Sequence, residues 1–130
     1  MITVKLSDIL NSEETLKKLM DVPMKGKVAY KLARIAREVD KESQLFSDER
    51  NKLIEKYAER DEEGNYKPNE DGQIYIDTKN LEKVGQFTNE LNELLETEIE
   101  VNAEKLSLDD LDETGMTPKD FNKLMAFIEE

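Results

Sequence analysis

Hydrophobic and polar positions along this chain fall into a few distinct rhythms. Ile2, Val4 and Leu6 alternate with Thr3 and Lys5, which predicts a short strand with one buried face. A helix is expected next. It starts at a Ser7–Asp8 cap or at Asn11/Ser12, where Asn11 and Glu14 stand at capping-box spacing. Leu16, Leu19 and Met20 form its apolar side. Pro23 disfavours helical backbone at Val22 and so ends it. The longest element is expected from about Met24 to Glu59, with no proline and with Gly26 near its start. Its stripe is Val28, Leu32, Ile35, Val39, Phe46, Leu53 and Tyr57, interrupted by the polar turn Asp40–Ser43. That pattern admits a hairpin of two helices or one continuous helix. The continuous helix is favoured, because nothing between Val39 and Phe46 is a turn residue.

Beyond residue 59 the rhythm changes. Residues 60–72 read as a flexible acidic loop, with Asp61-Glu62-Glu63-Gly64-Asn65 and Asn69-Glu70-Asp71-Gly72 around Pro68. Asp71-Gly72 before Ile74-Tyr75-Ile76 reads as a turn entering a strand. Asp77 or Thr78 is expected to cap a helix carrying Leu81, Val84, Phe87, Leu91, Leu94 and Leu95 on one side. Glu98-Ile99-Glu100-Val101 alternates as a strand, and Leu106, Leu108 and Leu111 punctuate an acidic connector. Thr117-Pro118-Lys119-Asp120 predicts a helix start with a Thr cap, Pro at the first helical position and an acid at the third. Phe121, Leu124, Met125, Phe127 and Ile128 give that helix an apolar side. The expected fold is α+β and mostly helical: one long central helix, two or three shorter helices and a small sheet of three short strands. Length predicts a single domain over residues 1–130.

Composition changes this picture in one respect. Charged residues make up 38% of the chain and hydrophobic ones 37%, so the core is thin for the length. The charge is also unevenly placed. Residues 1–60 hold 13 Lys+Arg against 11 Asp+Glu, whereas residues 61–130 hold 6 against 20. The total is −12. A field of that kind bears on partners and solubility, not on fold.

Chemistry is limited by what is missing. With no cysteine and no histidine, the chain has no disulfide, no thiolate nucleophile and no imidazole base or ligand. The start, Met1-Ile2-Thr3-Val4-Lys5-Leu6, does not read as a signal peptide, and no stretch is apolar enough to be read as a membrane span. A cytoplasmic protein with no cofactor and no metal is expected. The loop near Gly64 matches a calcium loop only in part. It would put Glu59 and Glu63 at positions where glutamate is too long, so a solvated turn is the expectation. No phosphate-binding glycine loop or nucleophile elbow is present, and the expectation is not an enzyme.

Three groups remain as candidate contacts. Asp109, Asp110, Asp112 and Glu113 form an acidic run that could present carboxylates where a phosphate backbone would sit. Lys27, Lys31 and Arg34 fall at i, i+4 and i+7 of one helix face, within a basic block from Lys17 to Arg37. That block is expected to pair with the acidic half of the chain or of a second copy, and not with nucleic acid directly. The stripe Val28, Leu32, Ile35, Val39, Phe46 and Leu53 exceeds what one small domain covers, so part of it is expected to mediate self-association.

Several stretches carry a resemblance. They are Glu49-Arg50-Asn51-Lys52-Leu53-Ile54-Glu55-Lys56-Tyr57 with Asp61-Glu62-Glu63-Gly64-Asn65, Leu91 to Val101, Leu108-Asp109-Asp110-Leu111 and Thr117-Pro118. The chain resembles small phage and prophage proteins of Gram-positive bacteria. The resemblance implies a phage setting and a helix-rich fold. It carries no assigned activity and no functional residues. The resulting expectation is a non-enzymatic protein acting by stoichiometric protein binding, for example as an acidic inhibitor of a host nucleic-acid-binding or defence protein. The alternative is a structural or assembly component of a virion or tail.

Overall fold

Local sequence signals account for most of the element boundaries. The computed structural model describes residues 1–112 and 114–129. Strand β1 (Ile2–Lys5) buries Ile2 and Val4 and exposes Thr3 and Lys5, as its alternation requires. Helix α1 (Leu6–Leu19) starts one residue after it, earlier than either expected cap. The start is fixed by Asp8, whose carboxylate accepts the Lys5 backbone N–H at 3.1 Å. Helix α2 runs unbroken from Gly26 to Tyr57, so the polar turn at Asp40–Ser43 does not divide it. At about 1.5 Å per residue it spans about 48 Å.

Helix α3 (Leu81–Leu95) begins later than expected. Asp77 turns the chain by accepting the Lys79 N–H at 3.0 Å, and Asn80 takes the capping role by accepting from Lys83 N–H at 3.2 Å. Strand β2 (Glu98–Val101) pairs antiparallel with β1, with Ile2 opposite Val101 and Lys5 opposite Glu98. Helix α4 (Pro118–Leu124) carries the expected capping box: Asp120 N–H donates to Thr117 Oγ1 at 3.2 Å, and Thr117 N–H donates to Asp120 Oδ2 at 3.1 Å. It tightens into a 3-10 turn at Met125–Phe127.

One expected strand is corrected. Ile74–Ile76 is not a strand, and the sheet has two strands, not three. Tyr75 makes one backbone bond there, accepting from Glu59 N–H at 2.9 Å. Glu59 accepts in turn from Lys67 N–H, so no ladder extends along the segment. The loop before it is two copies of one turn. In the first, Asp61 Oδ1 accepts from the N–H groups of Glu63 and Asn65. In the second, Asn69 Oδ1 accepts from those of Asp71 and Gln73. Gly64 and Gly72 occupy equivalent positions with φ of 86° and 78°, a conformation that favours glycine.

Contacts gather into two compact units, where the sequence reading took the chain as one domain. The first comprises residues 1–44 and 96–130, and the second residues 45–95. The first holds almost all the buried hydrophobic residues: β1 and α1 contribute Ile2, Val4, Ile9 and Leu16, α2 contributes Leu32, Ile35 and Val39, and the later part of the chain contributes Val101, Leu106, Leu111, Leu124 and Phe127. Val28, Leu32, Ile35 and Val39, expected to mediate self-association, are 9%, 2%, 0% and 2% exposed. They are core, which corrects that assignment: their apolar area is already removed from water within the chain.

Candidate functional site

The acidic run folds into a 3-10 turn, Asp109–Leu111, in the first unit. Leu111 anchors it by full burial. Ser107 and Asp110 cap it reciprocally: Ser107 N–H donates to Asp110 Oδ2 at 3.0 Å, and Asp110 N–H donates to Ser107 Oγ at 3.1 Å. Lys31 Nζ lies 3.6 Å from Asp110 Oδ2. The Ser107 backbone N–H, then its hydroxyl and Lys31, hold the Asp110 carboxyl below the usual carboxylate range against the cost of partial burial. Asp109 and Asp112 are exposed. With Asp110 and Lys25 they line a cavity of about 310 Å³. Glu113 lies outside the described residues.

The basic candidates are also partly engaged. Lys31 is committed to Asp110, and Arg34 Nη2 donates to the Asn102 carbonyl at 3.4 Å. Lys27 is exposed, beside Tyr30. These four side chains and Glu104 line a cavity of about 330 Å³. The two charged groups singled out from sequence therefore meet each other at Lys31–Asp110. A smaller notch of about 190 Å³ lies between α1 and α2, lined by Leu16, Met20, Ala36 and Val39 and rimmed by Glu13, Lys17 and Asp40.

The second unit presents a different surface. Ala58 is its one buried hydrophobic residue among the described residues. Phe46, Leu53, Ile54 and Tyr57 on α2 are half-buried, as are Val84, Phe87, Leu91, Leu94 and Leu95 on α3. Lys56 Nζ on α2 pairs with Glu90 Oε1 on α3 at 2.8 Å, and Lys83 Nζ on α3 with Glu59 Oε1, just past the end of α2, at 3.5 Å, so the two helices run antiparallel. Lys56, and after it Tyr57, hold Glu90 below the usual carboxylate range. Two helices alone cannot enclose their apolar stripes, and each stripe stays partly in water. Leu81, 80% exposed, marks the open edge. Sequence reading treated Phe46 and Leu53 as part of one long stripe. The apolar side of α3, from Leu81 to Leu95, was the signal for the second half of this surface.

Among the described residues, no group of three acidic side chains converges to hold a metal ion, and no helix is long and apolar enough to cross a membrane. No protein-family model, curated protein or solved structure matches the chain.

Proposed function

We propose that this chain acts by stoichiometric protein binding in a phage setting, through the surface of residues 45–95, and not by catalysis. The half-covered faces of α2 and α3 carry this reading. A helix pair with so little buried apolar area gains its stability by meeting another protein. The acidic turn supports an inhibitor of a nucleic-acid-binding protein less well, because Asp110 is occupied by Ser107 and Lys31. An assembly role is the second reading, favoured by the same half-covered helix faces.

The test uses the tagged full chain expressed in a host cell, cross-linked and quantified by mass spectrometry. A partner is expected near equal stoichiometry, lost with Leu81→Glu and kept with Asp109→Lys/Asp112→Lys. Loss with the acidic-turn variant alone would transfer the function to Asp109 and Asp112.

A further inference from the structure

Helix α2 begins against the usual preference. The unpaired N–H groups of a first helical turn favour acids, yet α2 has none there and carries Lys27 instead. Residues 22–37 hold five Lys and Arg and no Asp or Glu, in a chain with a net charge of −12. Lys27, Tyr30, Arg34, Arg37 and Lys41 are spaced three, four, three and four, which puts them on one helix face. All five are exposed, on the side away from buried Val28, Leu32, Ile35 and Val39. Among the described residues, no carboxylate of the chain forms an ion pair with Lys27, Arg34, Arg37 or Lys41, whereas Lys31 beside them is taken by Asp110. Two acids border the row. Glu38, next to Arg37 in sequence, is half-buried. Glu104 lines the cavity of about 330 Å³ with Lys27, Tyr30, Lys31 and Arg34.

From this we infer that the exposed face of α2 from Lys27 to Lys41 binds a short acidic segment of another protein. This contact is separate from the surface of residues 45–95 and does not depend on it. Charge selects the occupant. Four cations stay unpaired in a chain with a surplus of acids, and the positive end of the α2 dipole adds to their field. Length favours a protein segment over nucleic acid. At about 1.5 Å per residue the row spans about 21 Å. Asp21 precedes it, and the same spacing carried on would reach Gln44 and then Asp48, so a long phosphate backbone would meet acids past either end. Composition agrees. Tyr30, 65% exposed, stands between Lys27 and Arg34, and Tyr and Arg are the residues that protein interfaces favour.

The experiment is fluorescence anisotropy of the full chain with a labelled alanine-based peptide of about 15 residues, carrying glutamates three and four apart, beside a thymidine oligonucleotide of about ten residues. The peptide is expected to bind, and to bind more weakly as salt rises from about 50 mM to about 500 mM. Lys27→Glu/Arg37→Glu changes two exposed side chains, so it keeps the fold by circular dichroism and weakens binding by at least about tenfold. Lys67→Glu/Lys119→Glu makes the same change of net charge at exposed positions elsewhere and leaves binding intact. No binding of the peptide by about 1 mM chain overturns the inference. Equal weakening in both double variants also overturns it, because net charge alone then explains the binding. Tighter binding of the oligonucleotide overturns it in favour of nucleic acid. A dimer in sedimentation equilibrium that Lys27→Glu/Arg37→Glu dissolves overturns it in favour of a second copy of the chain.

Discussion

Lys31 Nζ stands 3.6 Å from Asp110 Oδ2, joining the basic stretch of α2 to the acidic 3-10 turn. Both side chains are mostly covered, with 24% and 19% of their area exposed. The link turns two groups suited to outside partners into parts of one scaffold. Among the described residues it leaves Asp109, Asp112, Lys27 and Arg34 as the exposed members of their groups.

Neighbouring carboxylates in that turn should therefore differ in what they do for stability. Asp110→Ala removes a cap and an ion partner and is expected to cost about 1 kcal/mol. Asp109→Ala, at an exposed position, should stay within about 0.5 kcal/mol of wild type. Urea unfolding of both variants at pH 7 checks the contrast.

Acid should weaken the first unit through Asp110 and Asp120. The Thr117 backbone N–H, then its hydroxyl and Lys18, hold the Asp120 carboxyl below its ordinary value. A depressed folded-state pKa contributes stability above the unfolded value, about 3.9, and loses it as pH falls through the folded one. Stability measured from pH 6 to pH 2 should fall below about pH 5. Asp120→Asn, which keeps an acceptor for Thr117 N–H, should flatten part of that fall.

Positions along α2 should divide sharply. Ile35, fully buried, should cost about 2–5 kcal/mol as Ile35→Ala. Leu45, 51% exposed, should cost under about 0.5 kcal/mol as Leu45→Ala, although both are apolar residues of one helix. Thermal denaturation of the two variants decides it.

The paired turns of residues 61–73 should melt one at a time. Asp61→Ala removes the acceptor for the Glu63 and Asn65 amides. Hydrogen exchange should speed at those two amides and stay unchanged at Asp71 and Gln73, which rest on Asn69. Gly64→Ala, forced to φ 86°, should cost about 1–2 kcal/mol locally.

Much of the architecture was legible because its signals are local. Thr117-Pro118-Lys119-Asp120 specifies its own cap, and the alternation at residues 2–5 and 98–101 specifies two strands, although Leu6, read with the first, opens α1. Ile74–Ile76 misled because a β-like triplet needs neighbouring strands, and neighbours are not written in the triplet. The stripe on α2 was read correctly as apolar. Which of its residues the chain itself covers depends on β1, α1 and the segment after residue 96. That division between Val39 and Phe46 is a property of tertiary packing, invisible to periodicity. The engagement of Asp110 by Lys31 was hidden for the same reason, since the two lie far apart in sequence.

The pairing of β1 with β2 also sets an order in time. Ile2 waits for Val101, Thr15 donates to Asp120 at 3.5 Å, and the Leu106 N–H donates to the Phe127 carbonyl. On a ribosome, residues 45–95 emerge complete while Ile2, Ile9 and Leu16 still lack the residues that cover them. Closing so long a loop costs entropy before any contact rewards it. A chain stopped after residue 97 would lack β2 and α4 altogether. It would hold its first apolar residues in water, as a target for chaperones or for aggregation.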